Sequence, residues 1–336
     1  MSSRYSLWLE KYKKNKSTIL RDLKNCQKGV EKLKDIIPQE EELLLPIPNF
    51  QSQQQSSCFV DGGEGIEELL GGVIYFIRAS GLLWEKLKGG RVKQKFIRNL
   101  DLGILKYDDY AKERVEFLRA GLEIDIAMRC LEEYSPHYLF LDGSLEVNSN
   151  SKKILGQEGE VYRKKFSRLL RVAKSKGVRL CGISEDSHSR LFLRHLSHKY
   201  AVKFPPFMTD CSFLKMLAGN KKFMTPSFLP GFSLASANFS TLYLQPTPLS
   251  TPLRIDVPPW EAANFPEIVS FVTQLSQGSK NYGYPLPLYL VHLDAKIGKK
   301  QSLWSTKQII HHIFKDDPQL YDSVLREKRR DLRPKG

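Results

Sequence analysis

The sequence predicts an α/β protein, a mixed sheet flanked by helices, with a basic helix ahead of it and a helical extension behind it. Three observations carry the prediction. Strand-like segments crowd between residues 57 and 105 with no helix among them. From Asp108 onward, helical and strand patterns alternate. Two apolar runs, "CFVDGGEG" (Cys58 to Gly65) and "YLFLDGSL" (Tyr138 to Leu145), each lead into an aspartate followed by glycine.

Residues 1 to about 37 carry ten Lys or Arg against four Asp or Glu, and Leu9, Tyr12, Ile19, Leu23, Val30 and Leu33 recur at roughly helical spacing. This basic segment, 1–45, packs on a second subunit or on the body, or stays solvated. Residues 46–57, "PIPNFQSQQQSS", form a polar linker. Ser57 to Asp61 reads as a short buried strand, and Gly72 to Ala79 and Leu82 to Lys88 as two strands joined by a Ser80-Gly81 turn. Lys93 to Leu105 adds one more. Asp108 to Tyr134 is a long helix, His137 to Asp142 a buried strand, and Gly159 to Lys176 a basic amphipathic helix. Val178 to Ser184 is a strand and Asp186 to Lys199 a helix. Ser240 to Gln245 and Leu253 to Val257 are later strands. Asn264 to Gln277, Pro285 to Ile297, 303–314 and 318–330 are helical. Three antiparallel strands followed by parallel strands with crossover helices are the ribonuclease H-like layout.

The chain has 336 residues, 41% hydrophobic and 26% charged, which suits a globular protein with a sizeable core. Its formal net charge of +15 implies a polyanionic partner, nucleic acid before an acidic membrane surface. Solubility alone is the plainer reading. The five cysteines, Cys26, Cys58, Cys130, Cys181 and Cys211, form no CxxC pair, which argues against a zinc knuckle and for a reducing compartment. No run reaches the roughly 18 apolar residues of a membrane span, and "MSSRYSLWLEKYKKNK" lacks a signal peptide's apolar stretch. The expectation is a cytoplasmic protein.

An aspartate at the end of a buried strand is held by a rigid scaffold, and a glycine beside it lets a phosphate or metal approach the backbone. If the strands of Asp61 and Asp142 are neighbours, their carboxylates can share a hard divalent ion, Mn²⁺ or Mg²⁺. Asp-Gly is also a common turn dipeptide, so two plain turns are the competing reading. The helix 108–134 offers a third ligand. Climbing about 13 Å along the strand to Asp142 and descending about 16 Å along the helix brings Glu123 level with it. A solvated glutamate is the alternative, and Glu116 is the fallback ligand. In "GISEDSHSR", Asp186 caps the next helix or borders a site with Glu185, His188 and Arg190. In "YPLPLYLVHLDAKI" (Tyr284 to Ile297), His292 interrupts an apolar helix, while Asp294 lies about 200° away around it.

"FVDGG", "LFLDGSL", "GISEDS", "RIDVP" and "YPLPLYLVHLDAKI", in this order and spacing, resemble the NurA family of DNA repair nucleases, from about residue 58 to 300. The resemblance implies a ribonuclease H-like fold and Mn²⁺-dependent cleavage of DNA, as an exonuclease and a single-strand endonuclease. It implies a homodimeric, ring-like enzyme working with a HerA-type hexameric ATPase in end resection. On it, 57–300 is the nuclease domain and 301–336 a helical extension and basic tail. Asp61 and Asp142 become metal ligands, Glu123 matches the family's helix glutamate, His292 its late histidine, and Arg254 a basic position beside the late strand. Three positions depart from the family pattern. Gly63 stands where serine is usual, Glu185 where lysine is expected, and Asp294 where a neutral residue is common. Arg190 could replace the missing lysine.

The expected mechanism has two Mn²⁺ ions bridged by Asp61 and Asp142, with Glu123 on the second ion. His292 orients water or protonates the leaving group. Arg163, Lys164, Lys165 and Arg168, with the tail from Arg326 to Lys335, follow the phosphate backbone. Two rivals are an actin-like phosphotransferase, which also opens on an Asp-Gly turn, and a non-catalytic basic adaptor for DNA.

Overall fold

The structure is a computed structural model that describes residues 2–36, 43–50, 56–87, 91–145, 156–229, 239–278 and 282–326. The basic tail beyond Arg326 lies outside these, as do the side chains of Ile19, Leu23, Cys26 and Leu33. Eight strands form one sheet in the order β3-β2-β1-β4-β5-β8-β7-β6. They are β1 (Ser56–Glu68), β2 (Gly72–Lys86), β3 (Val92–Lys106), β4 (Tyr138–Asp142), β5 (Arg179–Ser184), β6 (Phe223–Met224), β7 (Ser240–Gln245) and β8 (Leu253–Val257). β1 pairs with β4 and β4 with β5 in parallel, and the other neighbours are antiparallel. This is the predicted mixed α/β sheet, with three antiparallel strands leading into the parallel run β1-β4-β5, the layout read above as ribonuclease H-like.

The helices are α1 (Ser2–Ile36), α2 (Ala111–Glu133), α3 (Gln157–Lys176), α4 (Leu191–Tyr200), α5 (Asp210–Ala218), α6 (Phe265–Ser276), α7 (Leu286–Ala295), α8 (Lys299–Asp316) and the single turn α9 (Pro318–Leu320). Alternation along the strands divides the core. Cys58, Val60, Leu139 and Leu141 point to one face and pack with Ile124, Leu131 and Phe166 of α2 and α3. Phe59, Tyr138 and Phe140 point to the other and pack with Phe271, Leu288 and Val291 of α6 and α7.

Several local expectations are corrected. β1 does not stop at Asp61; it continues to Glu68, paired throughout with β2. Ser80 and Gly81 are not a turn. They lie mid-strand in β2, opposite Asp61 and Val60. Gly81 is there for helix packing, since a Cβ at that position would come within 2.6 Å of the Ile126 side chain on α2. Asp186 does not cap a helix; its φ is 46° in a loop, and α4 starts five residues later at Leu191. The residues from 318 form one α-turn and then a wide π-helical turn, Tyr321–Leu325, rather than a continuous helix. α5 and β6 escaped the sequence reading. α5 is closed by a reciprocal cap between Thr209 and Ser212, a Ser/Thr pair without the Glu or Gln usual at the second position. Among the described residues no helix is long and apolar enough to cross a membrane.

Candidate metal centre

Parallel register matches Val60 of β1 to Leu141 of β4, so the next residue on each strand, Asp61 and Asp142, stand side by side. By alternation both turn toward α7. There Leu288 and Val291 are buried in the core, which brings the half-exposed His292 over the two aspartates. His292 Nδ1 lies 2.9 Å from Asp61 Oδ2 and 4.0 Å from Asp142 Oδ2. One ligand atom from each of Asp61, Asp142 and His292 falls within 4.8 Å of the others, and among the described residues no other such group forms.

The aspartates meet at a cost in charge. Burial, then the neighbouring Asp61, pushes the Asp142 carboxyl up to about 8. Burial also raises Asp61, against the opposing pull of the Gly62 N–H and His292. The buried Tyr284 hydroxyl beside Asp142 offsets part of that rise, in a contact looser than a well-formed hydrogen bond. The Gly62 N–H donates to Asp61 Oδ1 at 2.7 Å. After Asp142 the chain turns at Gly143, with φ +110°, and the Gly143 N–H donates to the Ile183 carbonyl of β5. This is what the glycine after the aspartate is for: a side chain would strain that backbone. The fully buried Asp256 of β8 pins the same turn, accepting from Ser144 Oγ at 2.6 Å and the Leu145 N–H at 3.2 Å.

Glu123 is buried on the opposite face of β1, beneath Gly62, where a Cβ would strike its carboxylate. Arg119 donates to Glu123 at 2.5 Å, to Glu64 at 3.2 Å and to the Gly62 carbonyl at 3.3 Å. Burial, outweighing Arg119, raises the Glu123 carboxyl to about 7. Glu123 therefore adjoins the Asp61 strand but stands outside the three-residue cluster. Glu116, the fallback, influences Glu64 and Arg119 and is likewise outside it.

The predicted phosphate contacts are scattered. Arg163, Lys164 and Arg168 are exposed on α3, with Arg163 paired to Glu160 and Arg168 to Glu132. Lys165 reaches Asp125 on α2 at 2.5 Å. Arg190 donates to the carbonyls of Phe204, Pro205 and Pro206. Arg254 is buried and bonded to Asp256 at 2.9 Å.

The three departures have structural partners. A Cβ on Gly63 would lie 2.2 Å from the Ala295 carbonyl, so the glycine lets α7 sit directly on β1. Asp294 is clamped by Arg98. Glu185 accepts from the Tyr282 hydroxyl at 2.5 Å, beside Tyr284 and Tyr289. Sequence reasoning missed Tyr284, Arg119 and Asp256. Only the carboxylate in "LRIDV" and the four-residue spacing from Arg119 to Glu123 hinted at the last two.

A family model described as the NurA domain matches residues 56–297. A protein named DNA double-strand break repair nuclease NurA from Sulfolobus acidocaldarius is 25% identical over 318 residues, 85% of each chain. The crystal structure of the NurA nuclease from Sulfolobus solfataricus matches with a TM-score of 0.67 at 18% identity, over 95% of this chain and 99% of that one. A crystal structure of NurA bound to dAMP and manganese matches with a TM-score of 0.58 at 14% identity, over 93% and 99%. The domain match takes in most of the sequence, including every strand of the sheet and α7, and on that ground the chain belongs to the NurA family.

Proposed function

We propose that this chain is a Mn²⁺-dependent deoxyribonuclease of DNA double-strand break repair, cutting as an exonuclease and as a single-strand endonuclease. The observation that carries the reading is the convergence of Asp61, Asp142 and His292 from two neighbouring strands and a distant helix. The donor set suits the ion: carboxylate oxygens and an imidazole fit Mn²⁺, and the carboxylates alone also fit Mg²⁺. The environment suits it too. Burial raises both carboxyls and Asp61 raises Asp142 further, a crowding that a divalent cation would relieve, and the Tyr284 hydroxyl beside them lacks a well-formed partner.

Asp61 and Asp142 would hold the ion, with His292 completing the set or keeping a proton for the leaving oxygen. When bound, the metal supplies an activated water and neutralises charge on the scissile phosphate. Tyr284 partly offsets the rise that burial and Asp61 impose on Asp142, and Asp256 fixes the turn that aims it. Glu123 is the candidate holder of a second ion; to act as one it must exchange its Arg119 partner for the metal. Arg163, Lys164, Lys165 and Arg168 of α3 are the proposed contacts to the DNA backbone, with Arg190 and Asp186 in the loop before α4, while Arg254 would have to leave its buried pair with Asp256 in β8 to join them.

Residues 57–300 form the nuclease in this reading, 1–45 an arm and 301–336 an extension. We assign it to the cytoplasm, as a homodimer working with a HerA-type hexameric ATPase. What supports a subunit contact is the edge strand β3, which exposes Leu100, Leu102 and Ile104 together. The deciding experiment uses end-labelled single- and double-stranded DNA with Mn²⁺ or EDTA. Asp61→Asn and Asp142→Asn should each keep DNA binding and lose cleavage by at least about 10³-fold. Unchanged cleavage in either purified variant would falsify the site and favour a plain DNA-binding adaptor.

A further inference from the structure

Cys58 and Cys130, 72 positions apart, meet in the core between β1 and α2 with their sulfurs 2.7 Å apart. Both side chains are fully buried. Unbonded heavy atoms normally rest about 3.5–4.0 Å apart, and a bonded pair of sulfurs sits at about 2.05 Å. A shift of under about 1 Å would join them. Their surroundings are apolar, including Val60, Ile126, Ala127 and Leu131. Among the described residues no third ligand gathers with them, so they do not make the four-ligand set of a structural zinc. Gly81 closes the remaining side, where a Cβ would lie 3.4 Å from the Cys130 sulfur.

We propose that Cys58 and Cys130 form a disulfide when the chain folds under oxidising conditions, stapling the strand of Asp61 to the helix of Glu123; in a reducing compartment the pair stays as two thiols. Both members stand near functional positions: Cys58 three residues before Asp61, and Cys130 seven residues after Glu123. Burial raises the Cys58 thiol well above its ordinary pKa, which suppresses the reactive thiolate once the chain has folded. The bond therefore forms during folding and is then shielded from exchange. With a small disulfide such as oxidised glutathione as oxidant, one protein thiolate attacks a reagent sulfur and releases the first glutathione thiolate. The second protein thiolate attacks the mixed disulfide and releases the other. One S–S bond breaks in the reagent and one forms in the protein. Two electrons pass to the reagent, and the two thiol protons end on the released glutathione.

The test refolds the full chain in a mixture of oxidised and reduced glutathione, quenches it in acid and alkylates it under denaturing conditions. Three of the five cysteines should be alkylated before reduction and all five after it. Proteolysis should release one linked pair of peptides, containing Cys58 and Cys130. Reduction should lower Tm by roughly 4–8 °C, and Cys130→Ala should abolish that difference between oxidising and reducing buffers. A variant carrying Cys26→Ser, Cys181→Ser and Cys211→Ser keeps the pair alone and should show no alkylatable thiol after oxidation. Five alkylated thiols in the refolded wild type, or a bond joining any other pair, would overturn the proposal. The result needs neither metal nor DNA, so it is independent of the nuclease reading.

Discussion

Arg98 grips Asp294 with two parallel hydrogen bonds, Nε to Oδ2 and Nη2 to Oδ1, each 2.7 Å long. This ties the outer strand β3 to α7, two residues beyond His292. Ser80 adds a third bond at 2.5 Å, and Ser80 is the ladder partner of Asp61. The roughly 200° between Asp294 and His292 around the helix thus separates two jobs, a clamp on one side and a candidate ligand on the other.

Removing the clamp should loosen α7. Asp294→Ala leaves several donors unmet at a partly buried site and should cost about 1–3 kcal/mol. Arg98 is half exposed, so Arg98→Ala should cost under about 1 kcal/mol. Denaturant titration of both variants measures the difference. In the Asp294 variant, cleavage should fall further than stability alone explains, because the seat of His292 moves with the helix.

Metal and proton should compete for Asp142. Its folded pKa, about 8, stands above the ordinary 3.8. The metal-free fold therefore favours the neutral carboxyl. That stabilising contribution is complete below pH 3.8 and is lost as pH rises through about 8. Mn²⁺ binds the ionised form, so its affinity should rise with pH across this window and binding should release a proton. Thermal melts with and without Mn²⁺ should show a larger stabilisation at pH 8 than at pH 6. An equal shift at both would contradict the coupling.

Restoring the family's usual serine should harm this chain. The Cβ of a residue at position 63 meets the Ala295 carbonyl at 2.2 Å, and backbone cannot step aside as a flexible side chain can. Gly63→Ser should cost about 1–3 kcal/mol through overpacking and push α7 away from β1. A chain that tolerates it with unchanged unfolding and cleavage would show that α7 sits more loosely than this contact requires.

Much of this site was legible in the sequence because its carriers obey local rules. Apolar runs ending in Asp61 and Asp142 announce buried strands, and "PLPLYLVHLDA" announces a helix bearing His292. What was hidden depends on who lies opposite whom. Ser80-Gly81 has the chemistry of a turn, yet the pair sits mid-strand because a helix needs the glycine's bare face. Cys58 and Cys130 look solitary until the sheet packs on α2. Alternation along β1 also explains Glu123. The rise per residue predicts it level with Asp142; it lies under Gly62, the residue after Asp61, on the other face of the sheet.

That placement makes Glu123 the residue whose role is most open to experiment. Its pKa, about 7, is raised from the ordinary 4.5 chiefly by burial, so the fold favours the neutral acid and loses that contribution as pH climbs from 4.5 through 7. Glutamine mimics the favoured form. Glu123→Gln should leave stability within about 1 kcal/mol at pH 6. Arg119→Ala should act differently: it removes the cation that Glu64 and Glu123 share and should cost about 2–4 kcal/mol at pH 8, less at pH 6 where Glu123 is largely neutral. If Glu123 holds a second ion, the glutamine variant should lose cleavage by about 10²-fold or more despite its intact fold. If cleavage survives, Glu123 and Arg119 are scaffold beneath Asp61, and Asp61, Asp142 and His292 bind the catalytic metal without it.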